Sequence, residues 1–475
     1  MRNQLVENLF NLHETYKVSE IQNKRFSHSD LINALNKFEN SDLINISTAG
    51  YSAEGRTIQL VKIGYGKINV MAWSQMHGDE STATMALLDF FNFLTSVDKQ
   101  FADIKKNILD KITLYILPML NPDGTEKFKR NNSLDIDINR DAVRLQAPES
   151  KILKAIQEKT RPSFAFNLHD QATRYTVGDT SKVATIAFLA PAYNHKKEIN
   201  STRKNAMKLI SVLATNLQQF ISGHIAKYND DFEPRAFGDN FVKWGSSLVL
   251  IESGGWKNNH VKSFLRKLNF VALISAFNSI ATGSYLKATT DVYDKIPQNK
   301  KRLFDLLLRN ITIRKNGKKY LLDIGINQNE TGTKNERDYF FTGQIEEVGD
   351  LSVYYGFEEI DCNGMELKYA KIYPSAFNNL EEISENKIIE ILKNGYSFIK
   401  VNEVNNKSKY TKLPINIIQS TKPVNTEIKT GAFANFIITQ NDKLKYVCVN
   451  GFLFNSTTAD KNNILNGLIY NNLIY

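Results

Sequence analysis

The chain has 475 residues, more than one hydrophobic core usually serves, so two domains are expected; 42% hydrophobic and 23% charged residues are the balance of a globular, water-soluble protein. Its formal net charge of +10, from 60 Lys and Arg against 50 Asp and Glu, favours loose attraction to anionic surfaces. The basic residues are spread through ordinary helices and loops and are not interleaved with aromatics, which excludes a nucleic-acid groove, and no run of 18 uncharged apolar residues offers a transmembrane segment.

The opening stretch "MRNQLVENLFNLHETY" lacks the apolar region of a signal peptide, so the chain as given is expected to be cytoplasmic, or periplasmic or secreted if a leader has been removed. After it, strand-like and helix-like segments alternate. "TIQLVKIGYG" and "INVMAWSQ" read as adjacent strands, Ser81 to Thr95 as a helix, "KITLYILPML" as a strand and Glu149 to Thr160 as a helix. "SFAFNLHD" and "TIAFLAPAY" read as strands, Ser201 to Tyr228 as one or more helices, "SSLVLIESGG" as a strand, and about Asn258 to Ala281 as a covering helix. This is an α/β domain with a mostly parallel sheet.

From "YLKATTDVYDKIPQNKKR" onward the texture changes, and a boundary is expected near residues 285 to 300. The domains are then 1–288 and 300–475. The second has short runs such as "LSVYYGFEE", "YSFIKVNEV" and "LKYVCVNGFLF" between Asn, Gly and Lys turns, and reads as a smaller β-rich module with a helix around Ser384 to Leu392. It holds no compact set of His, Asp, Glu or Cys. Two of its stretches, "GQIEEVGDLSV" and "FANFIITQNDKLKYVCVNG", look somewhat like the accessory β-domain of amidohydrolases, although the front half lacks the H-x-H signature of that class. Cys362 and Cys448, the only cysteines, lie far apart in it and read as buried small apolar residues, not a disulfide.

The chemistry gathers at the ends of strands in the first domain, where open α/β sheets place their ligands. His77 and Glu80 follow the strand "INVMAW" and are close enough for one tight turn to aim both at the same ion. His169 ends a second apolar strand. Two His and one Glu leave one position of a tetrahedral zinc open, as in catalytic zinc sites. Asp79 and Asp170 are alternative ligands, but further carboxylates would cancel the ion's Lewis acidity, so both are expected to shape the site from behind. Glu252 turns polar at the end of "SSLVLI" and is followed by Ser253 and two glycines; a carboxylate there is wasteful for packing and suits proton transfer. Between the His residues lies "LPMLNPDGTEKFKRNNSLDIDINRDA". Arg140 offers paired donors that match a carboxylate, Asn139 adds a neutral donor, and Arg130 is placed to stabilise an oxyanion.

The set "HGDE", "NPDG…R…INRDA", "NLHD" and "LIESGG", in this order, resembles the zinc carboxypeptidase family that includes the pancreatic enzymes, most closely its bacterial branch, over about residues 40 to 285. The resemblance implies an eight-stranded mixed sheet between helices and zinc on His77, Glu80 and His169. It also implies that Arg130 polarises the scissile carbonyl, that Asn139 and Arg140 hold a terminal carboxylate, and that Glu252 is general base and then general acid. The family usually sets a mobile Tyr over the substrate, about twenty residues before the base. Tyr228 is the only Tyr in "HIAKYNDDFEPRAFGDNFVKWGSS" and takes that substrate-contact role, with Arg235 or Phe237 as alternative occupants of the pocket.

The expected activity is removal of C-terminal residues from peptides, with a peptide or other small carboxylate-bearing substrate as partner. The alternatives are a deacylase or amidase of N-acyl amino acids or cell-wall peptides, or an inactive peptide- or glycan-binding module. Neither the side-chain preference nor an oligomeric state is readable.

Overall fold

The first unit carries the strands β1 (Ile44–Tyr51), β2 (Thr57–Ile63), β3 (Ile68–Trp73), β4 (Ile112–Leu117), β5 (Phe164–Asp170), β6 (Thr176–Val177), β7 (Ile186–Leu189), β8 (Ile225–Lys227) and β9 (Ser247–Ser253), and the apolar runs of β3, β4, β5 and β9 end where loops begin. The computed structural model describes residues 3–404, 408–419, 427–459 and 464–470. The chain divides into two units, Met1–Lys301 and Arg302–Tyr475.

All of these strands but β6 form one eight-stranded sheet in the order β1-β2-β4-β3-β5-β9-β7-β8. It is mixed: β3 runs parallel to β4 and β5, β5 parallel to β9, and β7 parallel to β8, while β1–β2, β2–β4 and β7–β9 are antiparallel. β4 therefore separates β2 from β3, which the sequence had suggested as neighbours. The crossover through the helix after β3 lets β4 return beside it in parallel.

Helices α1 (Gln4–Asn11), α2 (His13–Tyr16), α3 (His28–Asn36), α4 (Thr82–Thr95), α5 (Ala102–Lys111), α6 (Pro122–Glu126), α7 (Pro148–Thr160), α8 (Ser201–Leu217), α9 (Phe237–Lys243), α10 (Ser263–Thr282) and α11 (Asp291–Lys295) accompany the sheet. Residues of α4, α5, α8 and α10 share one buried cluster with Val70, Ala72, Phe166, Leu168, Val249 and Ile251 of the sheet. Met71, Trp73, Ala165, Leu248 and Leu250, one residue out of step, join α7 and α9 in a second cluster on the opposite face. The strands are apolar on both sides because both faces are covered. The helical run expected over Ser201 to Tyr228 is broken: α8 ends at Leu217, Gly223 takes a positive φ of 78°, and Ile225–Lys227 pairs with β7.

The first unit continues through α11 and β10 (Asn299–Lys300), which pairs with β6. The second unit is smaller and rich in strands, with a larger sheet built on the long hairpin Leu303–Lys315 and Lys318–Gly332, a three-stranded sheet and a two-stranded one. Its helix spans Glu385–Lys393, and Cys362 and Cys448 are buried and free. Among the described residues no helix is long and apolar enough to cross a membrane.

Candidate metal centre and active site

The loop after β3 carries His77 and Glu80, and its shape depends on the turn after β4. A Cβ on Gly78 would stand 2.1 Å from the Gly124 carbonyl carbon, so only glycine lets the two loops touch there. Asn121 caps its own turn through Gly124 N–H (2.9 Å) and reaches the Met76 carbonyl at 3.3 Å. Gln75 donates to the Gly78 carbonyl and to Thr125 Oγ1. "NPDG" thus buttresses "HGDE".

His77, Glu80 and His169 are all buried, and one ligand atom from each lies within 4.8 Å of the others. His77 Nδ1 is 2.8 Å from Glu80 Oε1 and His169 Nδ1 is 2.6 Å from Glu80 Oε2. Burial alone would raise the Glu80 carboxyl, yet the two imidazoles hold it below the usual carboxylate range; burial opposes charge on His77, and Glu80 with Asp137 still lifts it to about 9. Two imidazole nitrogens and a carboxylate converging in a buried spot are the donor set of a zinc site, and the residues fit such an ion. Asp79 and Asp170 are not part of the cluster. Asp79, next to Glu80, is pushed up to about 6 by burial and by the Glu80 charge. Asp170 turns toward α4, accepting from Thr82 Oγ1 at 2.6 Å with Lys262 Nζ 3.9 Å away, and its backbone N–H donates to Glu80 Oε2.

Glu252 is brought to this cluster by register, since it pairs with His169 across β5 and β9. It is 7% exposed, and among the described residues its Oε2 has no hydrogen-bonding partner. Burial first, then the charges of Glu80 and Asp170, push its carboxyl well above the usual range. A buried, proton-hungry carboxylate beside a metal-type cluster is suited to general base work.

Arg130 donates from Nε and Nη2 to Asp137 Oδ2 (3.1 and 2.9 Å), and its Nη1 lies 3.2 Å from His77 Nδ1. Asn139 is held by its neighbours: its Oδ1 accepts from Phe237 N–H at 3.0 Å, which links it to the start of α9. Arg140 donates to the Asn139 carbonyl at 2.8 Å and pairs with Glu233 at 3.4 Å. Tyr228 lies close enough for the Glu252 charge, after burial, to raise its hydroxyl. Arg235 is exposed and bonded to Glu233, whereas Phe237 is wholly buried as the first residue of α9.

Sequence reasoning passed over Asp137. Its Oδ1 lies 3.1 Å from His77 Nε2 and its Oδ2 accepts from Arg130, so one carboxylate holds both side chains. Its signal was weak, one Asp among several in "SLDIDINRDA"; the structure adds that it caps the turn Ile138–Arg140 through Asn139 N–H.

An α/β sheet with a His-Glu-His cluster and an adjacent buried carboxylate at its strand ends is consistent with a zinc-carboxypeptidase active site. Residues 31–189 match the family model described as zinc carboxypeptidase, a stretch that holds His77, Glu80, Arg130, Asn139, Arg140 and His169 but not Glu252 or Tyr228. Carboxypeptidase SOL1 of Arabidopsis thaliana is 26% identical over 186 residues, 35% of this chain and 38% of that protein. Probable carboxypeptidase 2 of Arthroderma benhamiae is 28% identical over 112 residues, 24% of this chain and 20% of that protein. The chain thus spans well under half the length of these curated relatives. Among solved structures, the metallo-carboxypeptidase from Burkholderia cenocepacia is 15% identical with a TM-score of 0.44, over 55% of this chain and 70% of that one.

Proposed function

We propose that the chain is a zinc-dependent carboxypeptidase of the family's bacterial branch that releases C-terminal residues from peptides. The observation that carries this reading is the His77–Glu80–His169 cluster with Glu252 in register beside it. Zinc held by the cluster would supply Lewis acidity toward a substrate carbonyl and toward water. Asn139 and Arg140 anchor the terminal carboxylate; Arg140 exchanges its pairing with Glu233 for that of the substrate. Arg130, braced by Asp137, faces the charge that develops on the scissile carbonyl oxygen. Glu252 takes a proton from the attacking water and returns it to the leaving amine. Tyr228 contacts the bound peptide near the base.

The test is a mass-spectrometric screen of zinc-loaded protein against short peptides, their C-terminal amides, cell-wall tetrapeptides and N-acyl amino acids. Single-residue release from free acids, with amides poorly used, is expected. Arg140→Ala should reduce use of the acids and narrow the difference from the amides. Equal cleavage of acids and amides, or internal cuts only, would remove the carboxypeptidase reading. Cleavage confined to N-acyl amino acids or cell-wall peptides would replace it with the deacylase or amidase alternative, and binding without turnover would leave a binding module.

A further inference from the structure

Helix α10 is buried over most of its length, yet with its cap it carries a stripe of three enclosed polar side chains at helical spacing: Lys262, Arg266 and Asn269, which are 5%, 1% and 0% exposed. Arg266 reaches Asp89 of α4. The other two reach the turn that follows Glu252. Lys262 Nζ donates to the carbonyls of Ser253 (3.1 Å) and Gly254 (2.6 Å) and lies 3.9 Å from Asp170 Oδ2. Asn269 Nδ2 donates to Ser253 Oγ at 2.8 Å.

Helix stability does not account for these two residues. Lys262 is the N-cap of α10 with a left-handed φ of 61°, and its side chain makes no capping bond. A glycine would take that backbone without strain, and Ser, Thr, Asp or Asn would cap the helix. Lysine does neither, and an enclosed ammonium costs free energy unless it is paired. What it supplies is reach, a charged donor on a long stem delivered to two carbonyls. Asn269 Oδ1 has no hydrogen-bonding partner among the described residues, so a leucine there would spare a half-satisfied amide.

The turn they hold is the one that aims the base. Glu252 Oε2 has no hydrogen-bonding partner among the described residues, so the carboxylate is aimed chiefly by the main chain that carries it. That main chain lies at the junction of two strand ends, where Glu252 pairs with His169 and Ser253 with Asp170. The Lys262 ammonium is bonded to the β9 side of the junction and stands beside the last residue of β5. Beyond it the chain is tight, since a Cβ on Gly254 would stand 2.0 Å from the Ala184 carbonyl oxygen.

We propose that Lys262 is a positioning residue for the reaction: by binding the carbonyls of Ser253 and Gly254 it fixes the turn after β9 and so the spacing of Glu252 from His169, with Asn269 holding the same turn through Ser253. The inference rests on the carboxypeptidase reading. Lys262 touches neither substrate nor the reacting atoms; it acts through Glu252. A shift of about 1 Å at a reacting group costs up to about 100-fold in rate, so loss of these bonds is felt in turnover and not in the binding of zinc or peptide.

The experiment compares zinc-loaded wild type, Lys262→Met and Asn269→Leu on short peptides with a free C-terminal carboxylate. Lys262→Met keeps the length of the side chain and removes its charge and donors. Its kcat should fall about 10- to 100-fold with KM changed by less than about 2-fold and zinc content unchanged. Amide hydrogen exchange, read by mass spectrometry on fragments covering 247–256, should speed up in this variant, a readout independent of activity. Asn269→Leu should lower kcat in the same direction by less while leaving thermal stability equal or higher, and it carries the test if Lys262→Met fails to fold. Wild-type kcat in either folded variant, a change confined to KM, a loss of turnover only in proportion to lost zinc, or unchanged exchange in folded Lys262→Met overturns the inference. Release of C-terminal residues by wild type with unaffected variants sinks the positioning role alone, whereas no such release by wild type sinks the carboxypeptidase reading and the inference with it.

Discussion

Asp137 accepts hydrogen bonds from two nitrogens of Arg130 and lies within hydrogen-bond distance of His77 Nε2, tying a member of the His-Glu-His cluster to the guanidinium beside it. Burial would raise its carboxyl, but His77 and Arg130 hold it well below the usual range, so it stays ionised in that role. Asp137→Asn should therefore lower zinc affinity by about 10- to 100-fold, measured by competition with a chelator, without unfolding the protein. Glu252→Gln should keep the zinc and lose turnover, and His169→Ala should lose the zinc; elemental analysis separates the two. Glu252 also sets a pH dependence. Burial first, then the charges of Glu80 and Asp170, hold the Glu252 pKa above its ordinary value of 4.5. The base works deprotonated, so kcat/KM should rise with pH through that elevated pKa, with its acid limb above 4.5. Asp170→Asn, by removing one negative neighbour, should move the limb to lower pH; an unmoved limb would assign it to another group.

At the scale of elements, strands buried on both faces were readable because apolar runs stop abruptly at His169, Glu252 and the loop before His77. The same rule failed for β8, whose three residues are too short to show a period, and for β1, whose residues alternate only weakly between buried and exposed. The place of the segment before β1 is not legible in the sequence, since its hold on the core comes from residues distant in the chain. Arg266 of α10, 1% exposed, donates to both oxygens of Asp89 on α4 and to the carbonyls of Val18 and Ile21, while Asp89 also accepts from Val18 N–H and lies 2.9 Å from His13 Nε2. Arg266→Met leaves Asp89 buried beside unpaired carbonyls and should cost about 3–5 kcal/mol, read as a shift of the urea midpoint. The double variant Arg266→Met, Asp89→Leu should recover part of that loss, because no uncompensated charge remains; a loss equal to the sum of the single changes would mean the two groups are not coupled.

For the whole molecule, the change of texture beyond residue 285 signalled a second unit, but composition alone does not say where the first one ends. The residues that follow α10 pack back onto the first unit. Tyr293 is 3% exposed; its hydroxyl accepts from Ala190 N–H at 3.2 Å and its own N–H donates to Ser211 Oγ. Asn299 and Lys300 pair with Val177 and Thr176, and Asn299 Nδ2 donates to Gln171 Oε1 at 2.6 Å, two residues beyond His169 of the cluster. Each unit also has its own buried clusters, the first ending at Ile296 and the second beginning at Leu303 and Phe304. A chain ending at Lys301 should therefore fold in one cooperative transition and hold zinc. A chain ending at residue 290 should be less stable by about 3–5 kcal/mol, the cost of removing a large buried aromatic, and should bind zinc more weakly through the loss of support behind Gln171. Thermal melts and zinc content of the two shortened chains check this directly: equal stability would mean that the stretch from 291 to 301 is dispensable packing, and a folded chain ending at Lys301 that holds no zinc would mean that the second unit is needed for the metal centre.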